Sequence, residues 1–209
     1  MRAKKGIKLM RRGPIFPGLV VAACMLLGMT AGAFAVSDQF QGRILAMENV
    51  KPIDSQTKLK SGDNAPDFSL PSLSGEKVSL SQFKGRKNVV ISFVPAAWTP
   101  VCSEQWPGYN LARNLFEQHD AVIVGITTDN LPTLFAWTQQ MGGVWFPVVS
   151  DFWPHGEVSA KYGVMRSDGT SERALFVMDK QGIIRYIDVH DINVRPNLEE
   201  LVHVLEQLK

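Results

Sequence analysis

The segment Asn88-Val-Val-Ile-Ser-Phe-Val-Pro-Ala-Ala-Trp-Thr-Pro-Val-Cys102 decides the fold of this chain of 209 residues. Its first seven residues are almost all apolar, and three are valine or isoleucine in succession, which is typical of a strand buried on both faces of a sheet. The loop that follows contains two prolines, and the sequence beyond it favours a helix. A buried strand that leads through a short loop into a helix predicts an α/β domain, with Cys102 at or near the amino terminus of that helix.

The flanking sequence supplies further elements of such a domain. Strands are predicted where apolar residues are β-branched or alternate with polar ones: Pro66–Pro71, Val78–Leu80, Ala121–Thr128, Arg173–Met178 and Ile183–Ile187. Helices are predicted where apolar residues recur at helical spacing: around Leu111, Leu115 and Phe116, at Leu131–Met141 and at Asn197–Leu208. The last two strands flank Asp179-Lys-Gln-Gly182, which indicates a hairpin. This order predicts a central mixed β-sheet flanked by helices.

The first 35 residues predict an export signal. They hold six of the 22 basic residues and no acidic one, and an apolar run from Pro14 ends in Ala33-Phe34-Ala35. A charged start, an apolar centre and a small-residue end are typical of a secretory signal peptide, here with cleavage after Ala35. Two alternatives stay open: residues 14–36 as a membrane anchor, and lipidation at Cys24. We therefore expect a protein that is exported to the periplasm or the extracellular space, or anchored in the membrane.

Composition narrows the class of protein that follows the signal. Without residues 1–35 the chain has 16 basic and 20 acidic residues, and this mildly acidic body argues against nucleic-acid binding. Residues 36–60 lack a sustained hydrophobic period and are interpreted as an extension or linker, with residues 61–209 as the folded domain. Two cysteines are too few for a disulfide-rich scaffold, and the four histidines lack paired ligand spacing. We expect neither a metal nor a cofactor.

Cys102 is the strongest candidate for a reactive residue. The free N–H groups and the positive dipole end of a helix amino terminus stabilise a thiolate, the reactive form of cysteine. Thr99 places a hydroxyl three residues before the sulfur, and Pro95 can limit the access of water to it. On these residues alone a second interpretation stays open, in which Cys102 is a small core residue and Thr99 a helix cap.

The segment around Cys102 resembles the active-site signature of the peroxiredoxins, the alkyl hydroperoxide reductase and thiol-specific antioxidant proteins. Their pattern Pro-x-x-x-Thr/Ser-x-x-Cys is matched by Pro95, Thr99 and Cys102. A second similar phrase begins with an arginine: Arg173-Ala-Leu-Phe-Val-Met-Asp-Lys-Gln-Gly-Ile-Ile-Arg185. Ser150-Asp-Phe-Trp-Pro-His-Gly156 is similar to the one-cysteine, alkyl hydroperoxide reductase E-type branch. The resemblance runs from about Gly62 to the C-terminus and implies a thioredoxin-like fold.

The resemblance also implies an activity. Cys102 would attack the terminal oxygen of hydrogen peroxide or an organic hydroperoxide and become a sulfenic acid. Arg173 would hold the thiolate and the peroxide, although without the family match it would be interpreted as part of a surface ion pair. Thr99 would orient the peroxide and Pro95 would wall the site. An external thiol, either a small molecule or a thioredoxin-like protein, would recycle Cys102, and the working form would be a homodimer.

Two features depart from the family pattern. The acidic residue usual three positions after the cysteine is replaced by Gln105, and no role is assigned to the neighbouring Glu104. Trp106-Pro107-Gly108 then predicts a broken first turn, with the helix resuming near Gly108, because proline removes a backbone hydrogen bond.

Two other functions are compatible with a thioredoxin-like fold. An exported thiol–disulfide oxidoreductase would favour Cys-x-x-Cys, but position 105 is glutamine. A non-enzymatic copper-handling protein would favour a second cysteine and a histidine near the first. Because Cys24 lies within the predicted export segment, Cys102 has no resolving partner in its own chain, and the sequence favours a one-cysteine peroxidase.

Overall fold

The computed structural model describes Phe40, residues 42–48 and residues 50–208, so the predicted export segment at residues 1–35 lies outside the described residues. Two strands, β1 (Ser69–Pro71) and β2 (Lys77–Ser79), pair antiparallel as a separate hairpin, and a 3-10 helix follows at Leu80–Phe83. The central sheet contains the next five strands: β3 (Asn88–Phe93), β4 (Ala121–Thr127), β5 (Val148–Ser150), β6 (Arg173–Met178) and β7 (Ile184–His190).

Strand β3 occupies the middle of the central sheet, and all six of its residues are buried. The strand order is β5-β4-β3-β6-β7. β3 pairs parallel with β4 and antiparallel with β6, while β4 pairs parallel with β5 and β6 antiparallel with β7. The mixed sheet predicted from the sequence is therefore confirmed.

Helices cover the sheet: α1 (Cys102–Leu111), α2 (Arg113–Gln118), α3 (Leu131–Gln140), α4 (Glu157–Lys161) and α5 (Leu198–Glu206). α3 and α5 begin after Asn130 and Asn197, whose side-chain oxygens accept N–H groups of the first turn. Both helices confirm their predictions. β5 and α4, of three and five residues, were not predicted.

The prediction that Pro107 breaks the first helix is wrong. α1 runs from Cys102 to Leu111 with Pro107 inside it. Proline removes only one backbone donor, and the neighbouring rings of Trp106 and Tyr109 are buried at 0% and 3% exposure. The packing of these two rings holds the helix together across the proline.

The helix predicted around Leu111, Leu115 and Phe116 is only partly confirmed. Phe116 is fully buried in α2, but Leu111 is 92% exposed and Leu115 is 39% exposed. α1 and α2 are separated at Ala112, whose φ of −90° and ψ of 6° are not helical. The helix predicted across Leu111, Leu115 and Phe116 is therefore two helices, and only Phe116 of these three residues is buried.

Large aromatic side chains pack α1 directly onto the sheet. The ring centroids of Trp106 in α1 and Trp137 in α3 lie 4.8 Å apart. Gly125 in β4 allows the Trp106 ring to lie against the sheet, because a Cβ at that position would lie 2.6 Å from the ring. The position of α1, and with it the position of Cys102, therefore depends on a glycine in the sheet.

The segment interpreted as an extension, residues 36–60, lies along the domain wherever it is described. Phe40 is fully buried, and the N–H groups of Asp54 and Ser55 donate to Glu172 Oε1 at 2.6 and 2.7 Å. Thr57 Oγ1 donates to the carbonyl oxygen of Tyr162 at 2.7 Å. The segment is irregular in backbone conformation but is fixed to the domain by individual hydrogen bonds. Within the described ranges, the helices are too short or too polar to cross a bilayer.

Replacing Gly125 with alanine is expected to destabilise the fold. The added methyl group would overlap the buried Trp106 ring, which is held against Trp137. Overpacking of this kind costs about 1–3 kcal/mol in the free energy of unfolding, which urea titration followed by circular dichroism measures. Gly108→Ala is the matched control, because the nearest atom to a Cβ there is Arg195 Nη1 at 3.9 Å. Equal stability of Gly125→Ala and the parent would contradict the packing of α1 described above.

Candidate active site

The sheet topology brings Cys102 and Arg173 together. The chain leaves β3 at Phe93, and residues 94–101 form a loop that leads directly into α1 at Cys102. β6 runs antiparallel to β3, with Ala174 opposite Phe93, so its first residue lies beside the end of β3. That residue is Arg173. Two residues that are 71 positions apart in the sequence thus meet at the carboxyl end of β3.

Arg173 is almost fully buried, at 1% exposure, and all three of its guanidinium nitrogens are engaged. Nη2 lies 3.4 Å from Cys102 Sγ and also donates to the carbonyl oxygen of Ile192 at 2.9 Å. Nε donates to the same carbonyl at 3.1 Å, and Nη1 donates to Gln105 Oε1 at 2.6 Å. The guanidinium is thereby held in one orientation against the sulfur.

The surface ion pair that the sequence alone suggests for Arg173 is not formed. Two acidic residues near it in the sequence have other partners: Glu172 pairs with Arg166 at 2.6 Å, and Asp179 pairs with Arg185 at 2.6 Å. In the described part of the chain, none of the ion pairs involves Arg173.

Burial therefore leaves the charge of Arg173 in need of an anion. Its oxygen acceptors, the Ile192 carbonyl and the Gln105 amide, are neutral. A buried cation without a counter-ion is costly, because the protein interior solvates charge less well than water does. Cys102 Sγ lies 3.4 Å from Nη2, where a negative charge on the sulfur would compensate the guanidinium. The geometry thus places a buried cation directly beside the candidate nucleophile.

Gln105 orients Arg173, a role that the sequence analysis did not assign to it. Its Nε2 donates to Tyr109 Oη at 3.0 Å and to Ser92 Oγ at 3.3 Å, which leaves Oε1 to face the guanidinium. The reverse orientation would set two groups of donors against each other. Burial raises the pKa of Tyr109 to about 12, so the phenol stays neutral. The sequence did hold one indication of this role: Gln105 is polar and occupies the position where the family usually has an acidic residue.

Pro95 and Thr99 lie with Arg173 in the wall of a pocket of about 220 Å³. Thr99 Oγ1 donates to the carbonyl oxygen of Ala96 at 2.9 Å rather than to the sulfur, so its oxygen can still accept a hydrogen bond from a molecule in the pocket. Cys102 is fully buried. Arg173 connects the two parts of the site, because it contacts the sulfur and also lines the pocket.

The start of α1 leaves the backbone N–H of Cys102 without an acceptor in the described part of the chain. The N–H of Ser103 donates to the carbonyl of Thr99 at 3.1 Å, and the N–H of Gln105 donates to that of Val101 at 2.9 Å. The helix terminus thus contributes a single free N–H at the reactive residue, together with the dipole of α1.

The loop that carries Pro95 and Thr99 is fixed from two neighbouring strands. Asp129, which follows β4, accepts the N–H of Ala97 at 2.8 Å. Ser171, which precedes β6, donates its hydroxyl to the carbonyl of Val94 at 2.8 Å. Within the loop, Trp98 has a left-handed φ of 61°, a conformation that costs energy for a residue other than glycine. These bonds hold a strained loop in a single conformation next to the thiol.

The fold and the paired cysteine and arginine define a thiol-dependent peroxidase of the peroxiredoxin class. The chain belongs to the AhpC/TSA family, whose family model matches residues 61–187. It is 38% identical over 132 residues to alkyl hydroperoxide reductase E of Mycobacterium tuberculosis, a match that covers 63% of this chain and 86% of that protein. It is 32% identical over 157 residues to a putative peroxiredoxin in the rubredoxin operon of Clostridium pasteurianum, covering 69% of this chain and 86% of that protein.

Solved structures of the same class are similar to this chain. AhpC of Mycobacterium tuberculosis aligns with a TM-score of 0.65 at 26% identity, covering 71% of this chain and 92% of that chain. The reduced 2-Cys peroxiredoxin of Plasmodium vivax aligns with a TM-score of 0.65 at 25% identity, covering 71% of this chain and 81% of that chain. The family resemblance and the thioredoxin-like fold are therefore confirmed, and neither the thiol–disulfide oxidoreductase nor the copper-handling alternative is favoured.

Replacing Gln105 with glutamate is expected to raise the pH at which Cys102 ionises. The amide oxygen lies 2.6 Å from Nη1 of Arg173, and a carboxylate in its place would compensate the charge that the thiolate otherwise balances. Competition by a nearby like charge shifts an ionisation by about one pH unit or more. The ultraviolet absorbance of the thiolate, measured as a function of pH, gives the midpoint.

Glu104→Gln is the control for this variant, since it changes the charge of the adjacent residue outside the hydrogen bonds of Arg173. Its midpoint should stay close to that of the parent. An unchanged midpoint in Gln105→Glu, with the fold intact, would contradict the thiolate as the counter-ion of Arg173.

Proposed function

We propose that this protein is an exported one-cysteine peroxidase, in which Cys102 reduces a peroxide and an external thiol restores it. The observation that carries the proposal is the 3.4 Å contact between Arg173 Nη2 and Cys102 Sγ, because it pairs a nucleophile with the cation that activates it. Pro95, Thr99 and Arg173 meet at one pocket, which supports a common role in binding the peroxide.

In the first half of the reaction, the Cys102 thiolate attacks the terminal oxygen of the peroxide. The S–O bond forms as the O–O bond breaks, so that the sulfur is oxidised to a sulfenic acid and the peroxide is reduced. The leaving oxygen takes a proton and departs as water or an alcohol. Arg173 and the N–H of Cys102 stabilise the negative charge as it moves from sulfur to oxygen, and Thr99 accepts a hydrogen bond that orients the peroxide.

In the second half, a thiol from outside the chain attacks the sulfenic acid. Water leaves and a mixed disulfide forms, and a second thiol then releases Cys102 as a thiolate. Cys102 is the free cysteine of the described residues, and the other cysteine of the chain is Cys24, within the segment proposed to be removed on export. The reductant is a small thiol or a thioredoxin-like protein. A homodimer is part of this proposal and is supported by membership in the family; analytical ultracentrifugation measures it.

The one-cysteine cycle predicts a sulfenic acid that persists until thiol is added. After one equivalent of peroxide, mass spectrometry with a sulfenic-acid trap should find the adduct on Cys102, in a chain without intermolecular disulfides. Multiple turnovers should require added thiol, and excess peroxide should convert Cys102 to the irreversible sulfinic acid.

Cys102→Ser is the control for this experiment and should abolish turnover with the fold intact, because a serine hydroxyl does not ionise near neutral pH. A stoichiometric disulfide-linked dimer that forms and is reduced during turnover would overturn the one-cysteine cycle. Turnover of Cys102→Ser at the parent rate would remove Cys102 from the mechanism.

Export with cleavage after Ala35 predicts a mature protein that begins at Val36. When the full chain is expressed in a bacterium, the intact mass of the exported form should correspond to residues 36–209. Ala35→Arg should block the cleavage, because signal peptidases require a small residue before the cut. An uncut chain in the membrane fraction would instead favour the anchor, and a lipid adduct on Cys24 would favour a lipoprotein.

A further inference from the structure

The family match begins at residue 61, yet an earlier segment reaches the active site. Ala46, Met47 and Val50 line the same pocket as Thr99 and Arg173. We call residues 44–48 and 50–55 the strap. One wall of the pocket is thus formed by residues that lie outside the part of the chain matched to the family.

The first end of the strap is fixed to the loop that precedes Cys102. The N–H of Leu45 donates to the carbonyl oxygen of Trp98 at 2.9 Å. Just before the strap, the ring of Phe40 is fully buried and meets the ring of Trp98 edge-on, with a centroid distance of 6.1 Å. Trp98 is the residue with the left-handed φ, so the strap helps to hold the strained part of the active-site loop.

The second end of the strap is fixed by a buried ion pair next to Arg173. Glu172 is fully buried, and its Oε1 accepts the N–H groups of Asp54 and Ser55 at 2.6 and 2.7 Å. Its Oε2 pairs with Arg166 Nη1 at 2.6 Å, and Arg166 Nη2 donates to the carbonyl oxygen of Lys51 at 2.9 Å. The strap is therefore a fixed wall of the pocket.

The pocket is larger and more apolar than hydrogen peroxide requires. Its apolar lining includes Ala46, Met47, Val50, Pro95, Val101 and Ile192. The volume of about 220 Å³ exceeds the roughly 150 Å³ of an apolar cavity that holds benzene, whereas a water molecule, only slightly smaller than hydrogen peroxide, occupies roughly 30 Å³ in the liquid. Met47 is 57% exposed beside this space, so a ligand in the pocket would cover a large apolar side chain that now faces water.

We propose that the strap is a binding subsite for the apolar substituent of an organic hydroperoxide, and that Met47 and Val50 determine this specificity. The inference rests on the peroxidase function proposed above. The peroxy group would lie at Arg173 and Thr99, and the carbon substituent would lie against the strap. The flexible thioether of Met47 suits a wall that has to fit substituents of different shapes. Hydrogen peroxide has no such substituent and gains nothing from the strap.

The test compares two peroxides on the full chain. Stopped-flow tryptophan fluorescence measures the second-order rate constant for oxidation of Cys102 by cumene hydroperoxide and by hydrogen peroxide. In the double variant Met47→Ser/Val50→Ser, the rate constant with cumene hydroperoxide should fall about tenfold or more, the range seen when apolar contacts to a substrate are lost. The rate constant with hydrogen peroxide should stay within about twofold, because it makes no contact with the strap.

Leu45→Ser is the matched control, since Leu45 lies on the strap and is 67% exposed but does not line the pocket. It should leave the ratio of the two rate constants unchanged. If the double variant does not fold, Met47→Ser alone should show a smaller fall in the same direction, because an exposed side chain contributes little to stability.

An unchanged ratio in a folded variant would overturn the subsite. An equal fall with both peroxides would also overturn it, since the strap would then act by holding the active-site loop at Trp98. Failure of both peroxides to oxidise Cys102 in the parent would instead reject the proposed function, so the two failures are distinguishable.

Discussion

A buried guanidinium without a carboxylate is the feature on which the rest of the site depends. Arg173 is 1% exposed, and its oxygen acceptors are neutral. A charge removed from water needs a counter-charge, and the sulfur at 3.4 Å provides one only when it is ionised. The pairing of β3 with β6 fixes this distance, because it places the first residue of β6 beside the loop that leads to Cys102. The pairing of the cation with the thiol is thus a consequence of strand order.

Two consecutive residues of the chain show how differently a buried charge can be used. Glu172 forms a closed ion pair with Arg166 and accepts two backbone N–H groups, so its charge is fully compensated and its role is to hold the strap. Arg173 has only neutral oxygen acceptors and lies 3.4 Å from the sulfur of Cys102. The first arrangement gives rigidity and the second gives reactivity. Their adjacency means that the wall of the pocket and the activating cation are fixed to the same point of the fold.

The sequence predicted the features that depend on a pattern of several neighbouring residues. The apolar runs of β3 and β4, the hairpin of β6 and β7, and the motif of Pro95, Thr99 and Cys102 are all local patterns. Three features could not be predicted, because tertiary contacts decide them. Pro107 stays within α1 because the rings beside it are buried, Gln105 gains its role from a side chain 68 positions away, and the strap is held by single hydrogen bonds rather than by a regular element.

The same buried cation influences what happens after the first oxidation. A thiolate would compensate Arg173, whereas a sulfenic acid is neutral, so reaction with peroxide would remove the counter-ion of a group that is 1% exposed. A second oxidation to a sulfinic acid restores an anion beside the guanidinium. The charge of Arg173 therefore does not oppose reduction of the sulfenic acid by a thiol, and it does not oppose further oxidation either. In the one-cysteine cycle proposed above, the outcome is decided by the relative rates at which an external thiol and a second peroxide reach the sulfur. A wall that admits one class of peroxide and disfavours another, as proposed for the strap, acts on that competition as well as on the first step.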